Sequence, residues 1–334
     1  RLMKQLLKDH PGTAARCRQM AIAANTTMLH LLMGWPCDGL GDWPFHPVSL
    51  GGKTYRAQEV LGPQSPLADA TVTLLPGMST YVGADITAGI WQCGLASSDD
   101  VSLFVDLGTN GEMVLGNKDQ RFIASAPAGP ALEGGKLTWG TGSVPGAICG
   151  VRIERGRAKV RTIDHTVPVG ICGTGILEAM AGLVREGLVD ETGKLVEPYF
   201  HKGFPLASTL DYQRITLSQQ DIREIQMAKS AIRAGIESLI ERSGISRQRV
   251  HQVFLAGGFG YYLDSQKAAV IGLLPADLAE RTTAVGNTSL KGAIGLLTGA
   301  VTLEELQAIA AGAEEIVLGN DEAFQRLYID YLNF

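Results

Sequence analysis

The sequence predicts an α/β protein of two lobes, and three observations carry that expectation. Its 334 residues exceed the roughly 100–200 residues typical of one domain. Short apolar runs end at glycine-bearing turns, and stretches of helical period follow several of them. Glycine is in excess: average usage of about 7 % would give roughly 23, and the chain has 41. Such an excess without a repeat period fits many tight strand-to-helix turns.

Composition removes several function classes. Apolar residues make up 45 % and charged residues 19 %, which excludes whole-chain disorder. No apolar run approaches the ~18 residues of a membrane span, and no secretory signal opens the chain. The net charge of −5 argues against nucleic acid as a partner. Five cysteines (Cys17, Cys37, Cys93, Cys149, Cys172) stand singly, without the C-x-x-C pairing of zinc or redox sites. Their spacing also lacks the close run that iron–sulfur ligation usually needs, and fits reduced thiols in a cytoplasmic protein.

In chain order, residues 1–9 read as the end of a helix stopped by Pro11-Gly12, and an opening on Arg1 fits a processed or cut product. Met20–Ala24 reads as a buried strand, and Asn25-Thr26-Thr27 as the cap of a helix through Met33. Residues 34–63, rich in Gly, Pro and Trp, read as an irregular excursion. A strand at Thr71–Leu75 precedes a helix at about 83–95, and the polar Ser97–Asp100 segment marks the lobe boundary. The lobes are thus expected at 1–97 and 98–334.

Val101–Val105 and Met113–Leu115 read as the strands of a hairpin. The glycine cluster at 126–135 reads as a loop that opens a helix, and residues 151–164 as a second hairpin turning near Gly156. Cys172-Gly173-Thr174-Gly175 introduces a helix ending near Gly187, and reads as a structural turn or as one that backs a ligand site. Ser218–Asp221 is a capping-box start for the longest helix, which Gly244 stops. A strand at Val250–Ala256 breaks at Gly257-Gly258-Phe259-Gly260, and Gly286-Asn287 precedes a small-residue helix at 289–297. Another helix is expected near 303–312.

Three of these pieces carry chemistry. In Asp106-Leu107-Gly108-Thr109-Asn110-Gly111, glycines let backbone N–H groups approach phosphate oxygens. Thr109 and Asn110 add side-chain donors, and Asp106 can hold a water on Mg²⁺. The hexapeptide alone fits an ordinary hairpin tip equally well; it is neither a Walker loop nor a dinucleotide fingerprint. Gly257 and Gly258 after an apolar strand let the backbone lie against a planar ring or sugar, or simply turn the chain. Gln226, Lys229 and Arg233 share one side of the long helix, which a solvated charged face would also explain.

Taken in order, these pieces resemble the actin-like (ribonuclease H-like) ATPase superfamily: α/β, two lobes of mixed sheets flanked by helices. Ala84–Gly89 resembles its first connecting helix, Asp106–Gly111 its second phosphate hairpin, Gly257-Gly258-Phe259 its adenosine motif, and Gly286-Asn287 with 289–295 its second connecting helix. Narrower still, Asn25–Leu32, Val82–Asp85, Asp106–Glu112, Ala128–Gly134 and Leu255–Gly260 together resemble the reductive activators of corrinoid proteins. The resemblance runs from about residue 20 to 330. Those proteins are ferredoxin-bearing ATPases that return a Co(II) corrinoid to Co(I) in methyl-transfer systems.

The resemblance implies ATP and Mg²⁺ as ligands, a corrinoid protein as partner, a homodimer and a cytoplasmic setting. It also implies an N-terminal [2Fe–2S] ferredoxin domain, a linker and a middle domain outside this chain, with no iron–sulfur cluster inside it. Asp85 would position the attacking water, and Asp106 would orient Mg²⁺ through water. Gly108, Thr109, Asn110 and Gly111 would hold phosphates, with Gly129 and Glu133 bordering the γ-phosphate or merely capping a helix. Gln226, Lys229 and Arg233 would line purine and ribose above Gly257 and Gly258. Residues 1–20 hold no D-x-G-T-T-T turn, so the first lobe reads as incomplete and the chain alone as a weak or inactive ATPase.

Three other readings stay open at this level. An actin-like small-molecule kinase would use Asp85 as base and phosphorylate a metabolite. A non-catalytic dimerisation or docking fragment would bind its partner without nucleotide. A 2-hydroxyacyl-CoA dehydratase activator would need cluster-ligating cysteines, for which only Cys149 and Cys172 offer themselves.

Overall fold

The computed structural model describes residues 2–67, 69–258 and 263–334, so Phe259 and Gly260 of the second glycine motif lie outside the described residues. The chain forms two compact units, residues 1–96 with 288–313 and residues 97–287 with 314–334. Residues 288–313, assigned from the sequence to the second lobe, thus pack with the first unit.

The first unit opens with α1 (Leu2–Asp9) and α2 (Thr13–Arg16), then β1 (Gln19–Ile22) and α3 (Thr26–Met33). The Asn25 side chain accepts the Met28 N–H at 2.8 Å, the cap that its position before a helical run implies. Next come α4 (Asp38–Gly41), β2 (Lys53–Arg56), α5 (Ala57–Leu61), β3 (Thr71–Leu74) and α6 (Ala84–Gln92). The sheet runs β1-β3-β2, with β1 parallel and β2 antiparallel to β3. Leu29, Val60, Val72 and Leu74 are buried at its centre. Residues 34–63 are therefore not wholly irregular, a correction to the sequence reading. In β2, Lys53, Thr54 and Arg56 are exposed and only Tyr55 is half-buried, so the strand has no apolar alternation to betray it.

The second unit is built on β4 (Val101–Leu107), β5 (Gly111–Gly116) and β6 (Arg121–Ala126). The next elements are β7 (Ala147–Glu154), β8 (Arg157–Thr162), β9 (Gly170–Ile171), α7 (Gly173–Arg185), α8 (Tyr199–Lys202), β10 (Phe204–Ser208) and β11 (Arg214–Leu217). The long α9 (Gln219–Ser243), β12 (Val250–Ala256), α10 (Ser265–Val270) and β13 (Thr282–Gly286) follow. Two helices, α11 (Thr288–Thr298) and α12 (Leu303–Ala311), belong to the first unit; β14 (Ala313–Glu315) and α13 (Glu322–Asp330) close the chain.

The main sheet runs β13-β12-β4-β5-β6-β14, with β13, β12 and β4 parallel and β5 and β6 antiparallel. A second sheet runs β8-β7-β9. β4 is mostly apolar because it is buried on both faces, with Leu103, Phe104 and Val105 at zero exposure and only Ser102 and Asp106 polar. Ser218 caps α9 by accepting the Asp221 N–H, while Asp221 accepts the Ser218 N–H at 2.8 Å, a reciprocal capping box. The apolar stripe of α9, including Ile225, Ile232 and Leu239, lies in the core beneath this sheet.

The glycine cluster at 126–135 corrects another expectation. It forms a 3₁₀ turn at Pro130–Glu133 rather than opening an α-helix, because positive-φ backbone at Gly129 (φ 75°) and left-handed backbone at Gly134 (φ 86°) close it at both ends.

Candidate functional site

The parallel strands of the second unit all end at one edge of the sheet. Ala256 of β12 pairs with Asp106 of β4 on one side and with Gly286 of β13 on the other. The sequence motifs at 106–111, 257–258 and 286 thus start from one row across three neighbouring strands. Carboxyl ends of parallel strands are where open α/β sheets bind ligands, since turns rather than ladder bonds occupy that rim.

Around this row the hairpin tip is built by residues 108–110. The Gly108 N–H donates to the Asn110 carbonyl at 3.0 Å, and β4 and β5 close on the Leu107–Gly111 pair. Thr109 Oγ1 donates to Glu133 Oε2 at 2.7 Å, so the 3₁₀ turn is tied to the hairpin tip. Gly257 has φ 109°, and a Cβ on it would stand 2.3 Å from the Leu107 carbonyl oxygen and 2.9 Å from Asp106 Oδ1. Only a residue without a side chain lets the two turns meet this closely. Gly258, Gly129 and Gly108 keep open space beside their α-carbons, with nothing closer than 3.7 Å to a Cβ built on any of them.

Gly111 is placed differently. It is buried, and a Cβ on it would meet Ile232 Cγ1 of α9 at 2.9 Å. Its lack of a side chain serves the seating of α9 against the sheet.

Gln226, Lys229 and Arg233 share one side of α9, as their spacing implies, but the face is not solvated. Gln226 and Lys229 are 2 % and 1 % exposed. Gln226 Nε2 donates to the carbonyls of Thr192 at 3.1 Å and Leu332 at 2.9 Å. Lys229 Nζ donates to the Asn333 carbonyl and lies 5.0 Å from the Phe334 ring centroid. Arg233 lies 4.6 Å from the Tyr331 ring centroid and donates to the Leu274 carbonyl at 3.0 Å. The final residues of the chain therefore cover this face. Burial, with the neighbouring Arg233 charge, brings the Lys229 pKa down to about 8.

Asp85 stands in the first unit, in the first turn of α6. Gly83, just before it, packs so closely that a Cβ there would lie 2.5 Å from the Asn25 Cα. The Ala84 N–H donates to the Ala24 carbonyl at 3.1 Å, fixing the start of α6 beside the end of β1. Burial raises the Asp85 pKa above the ordinary carboxylate value, opposed by the Ile86 N–H that it accepts at 3.1 Å. In the same unit α11 crosses α6 at a glycine: a Cβ on Gly292 would lie 2.3 Å from Ala88 Cβ. Ser289 Oγ also donates to the Ala23 carbonyl at 2.9 Å.

One grouping was not foreseen. A cavity of about 340 Å³ in the second unit is lined by Cys149, Arg161, Cys172 and Thr174 together with Gly258. The Cys172-Gly173-Thr174-Gly175 turn was visible in the sequence, yet nothing in it announced which distant strand end it would face.

The donor set bears on Mg²⁺. Among the described residues no group of three or more His, Cys, Asp or Glu side chains is placed to hold a metal ion. Asp106 and Glu133 instead flank the hairpin tip. One or two carboxylates, with water and substrate phosphates completing the octahedron, is the usual manner of holding Mg²⁺. Among the described residues no helix is long and apolar enough to cross a membrane.

Comparison with known proteins adds the lineage. The family model described as the C-terminal domain of RACo, the ASKHA domain, matches residues 100–334, and that of the RACo middle region matches residues 1–98. The corrinoid activation enzyme RamQ of Eubacterium limosum is 33 % identical over 330 residues, 93 % of this chain and 55 % of that protein. The [Co(II) methylated amine-specific corrinoid protein] reductase of Methanosarcina barkeri is 28 % identical over 311 residues, 86 % of this chain and 56 % of that protein. A solved structure of a reductive activator for corrinoid, iron–sulfur protein superposes with a TM-score of 0.93 at 33 % identity, over all of this chain and 55 % of that one. The chain spans about half the length of these relatives. The actin-like fold read from the motif order is thereby established. The expectation that the family's middle domain lies outside this chain is corrected, since residues 1–98 match the middle-region model.

Proposed function

This chain belongs to the RACo family, and on that premise we propose that it is the ATP-binding part of a reductive activator that drives a corrinoid protein from Co(II) to Co(I). The observation that carries this reading is the row Asp106–Ala256–Gly286, with Gly257 set against Asp106 and Leu107. It supports one ligand reaching from the hairpin tip to the second glycine turn.

In this reading the N–H groups of Thr109 and Asn110 and the Asn110 side chain hold phosphate oxygens, while the Gly108 N–H, bonded to the Asn110 carbonyl, shapes the tip and its bare α-carbon lets the ligand approach. Donors fixed by a hairpin need little reorganisation to meet that charge. Asp106 and Glu133 would orient Mg²⁺ through its waters, the ion supplying charge neutralisation at the phosphates. The nucleoside end would lie along Gly257 and Gly258, toward the cavity that Thr174 and Arg161 line. A purine role for Gln226, Lys229 and Arg233 would require the final residues to leave the α9 face, because their polar atoms are engaged there. Asp85, whose burial raises its pKa, is the residue proposed to position the attacking water.

ATP makes an uphill reduction accessible only if it binds one state of the assembly better than another. The remaining half of the family's length is proposed to carry the [2Fe–2S] ferredoxin domain, the assembly to be a homodimer, and its setting to be cytoplasmic. The test is titration calorimetry with Mg·ADP, with a crystal soaked in the same nucleotide. Phosphate density at residues 108–110 and a purine beside Gly258 are expected, with Asp106→Ala weakening binding by about tenfold or more. Density elsewhere, or unchanged affinity in the variant, would refute the reading.

A further inference from the structure

The hairpin of β7 and β8 holds five cations and one carboxylate between residues 152 and 161: Arg152, Arg155, Arg157, Lys159 and Arg161 against Glu154. The register places four of the cations on one face, because Gly150 pairs with Arg161, Arg152 with Lys159, and Glu154 with Arg157. Same-face residues along a strand stand about 7 Å apart, so Arg157 to Arg161 spans about 13 Å. Arg152 and Lys159 are 78 % and 76 % exposed at the side chain, and both pair with Glu154. Among the described residues Arg155, Arg157 and Arg161 form no salt bridge. A groove of about 670 Å³ runs beside this face, and Arg185 of α7 adds another cation to its lining.

Basic residues on an edge strand can serve merely to discourage sheet-to-sheet pairing. That need is met by one or two charges, whereas like charges at alternate positions of one strand repel each other. Here the concentration occurs in a chain whose net charge is −5. We propose that the β7–β8 face is a docking surface for an acidic patch on a protein partner.

The spacing and the mixed signs select that partner. An array about 13 Å long exceeds what one small anion can span. Glu154, Glu178 and Glu186 sit within the cationic lining, Glu178 paired with Lys267 at 2.7 Å. The uniform charge of a nucleic-acid backbone would be repelled by these carboxylates, while a protein patch can oppose them with cations and so fix its register. The face lies outside the residues read as contacting nucleotide, apart from Arg161 at its end, and docking there needs no ATP.

The test uses the whole chain and a fluorescein-labelled decaglutamate peptide, titrated at 20, 50 and 150 mM salt with no nucleotide. One variant carries Arg152→Glu, Arg157→Glu and Lys159→Glu, and a second carries Gln at the same three positions in case reversal disturbs folding. A charge-matched control carries Lys202→Glu, Arg249→Glu and Arg326→Glu, all exposed on other elements. The face variants should weaken peptide binding about tenfold or more and flatten its salt dependence, with the control changing it by about twofold or less. Equal weakening by face and control variants would overturn the proposal. So would a 20-nucleotide single strand or tripolyphosphate that binds more tightly than the peptide and is lost with the same triple.

Discussion

A methyl group on the α-carbon of Gly257 would stand 2.9 Å from Asp106 Oδ1, although 151 positions separate the two residues in the chain. The two turns are brought together because β4 and β12 are parallel neighbours whose ends share a row. Gly257→Ala introduces that methyl at φ 109° and 2.3 Å from the Leu107 carbonyl oxygen. The variant is expected to lose about 1–3 kcal/mol of stability from backbone strain and displacement. Urea unfolding reads the loss. Nucleotide-dependent thermal stabilisation should disappear as well, even at temperatures where the variant is folded.

Glu133 offers a separate test of how phosphate charge is balanced at the hairpin tip. Gln at this position still accepts the Thr109 hydroxyl, so folding stability should move by less than about 0.5 kcal/mol. It removes one negative charge beside the site, worth roughly 1 kcal/mol against a nearby phosphate in high dielectric. Glu133→Gln is therefore expected to bind Mg²⁺-free ATP about fivefold more tightly while gaining less from added Mg²⁺. Titration calorimetry with Mg²⁺ and with a chelator compares the two.

The elements legible in the sequence were those whose cause is local. Asn25, Ser218 and Gly244 mark helix ends by their own side chains or lack of one, and β12 is bounded as its apolar run implies. The hairpin around Gly108 was equally plain. What could not be read depends on distant partners. β2 and α5 carry too little apolar pattern to stand out, and the turn at 130–133 depends on backbone angles set by its surroundings. Nor did the sequence tell that the missing side chain of Gly111 makes room for Ile232, 121 positions away. Gln226, Lys229 and Arg233 looked like a free basic face because nothing in their spacing tells that Leu332, Asn333 and Tyr331 lie on them.

Asp85 carries a cost that function would explain. Its pKa is raised from 3.8 by burial, so the native state holds the proton more tightly than the unfolded chain. Stability must then fall as pH rises from about 4 through the native pKa, and the full penalty is present above it. Asp85→Asn removes the titration. The variant should match the parent near pH 4, exceed it progressively at higher pH, and reach a constant advantage once the parent carboxyl is fully ionised. Urea midpoints at pH 4, 5, 6 and 7 follow the divergence. Nucleotide binding should persist while ATP turnover by the full-length protein is lost, the pattern expected of a group that acts on the water.

Lys229 has the opposite sign. Its pKa falls from 10.5 to about 8 because the ammonium is buried against a carbonyl and an aromatic ring, with the Arg233 charge nearby and, among the described residues, no carboxylate paired to it. Below pH 8 it is charged in both states, and the fold bears the whole desolvation penalty. Above 10.5 it is neutral in both, and no penalty remains. Between those limits the unfolded chain binds the extra proton, so the contribution of this residue to stability rises with pH. Lys229→Met has no such group. The stability of the parent relative to the variant should therefore rise between pH 8 and 10 with a slope of up to about 1.4 kcal/mol per pH unit. Paired urea unfolding at pH 7, 8, 9 and 10 measures it, and a flat difference would mean that the ammonium reaches water by lifting the Asn333–Phe334 segment from α9.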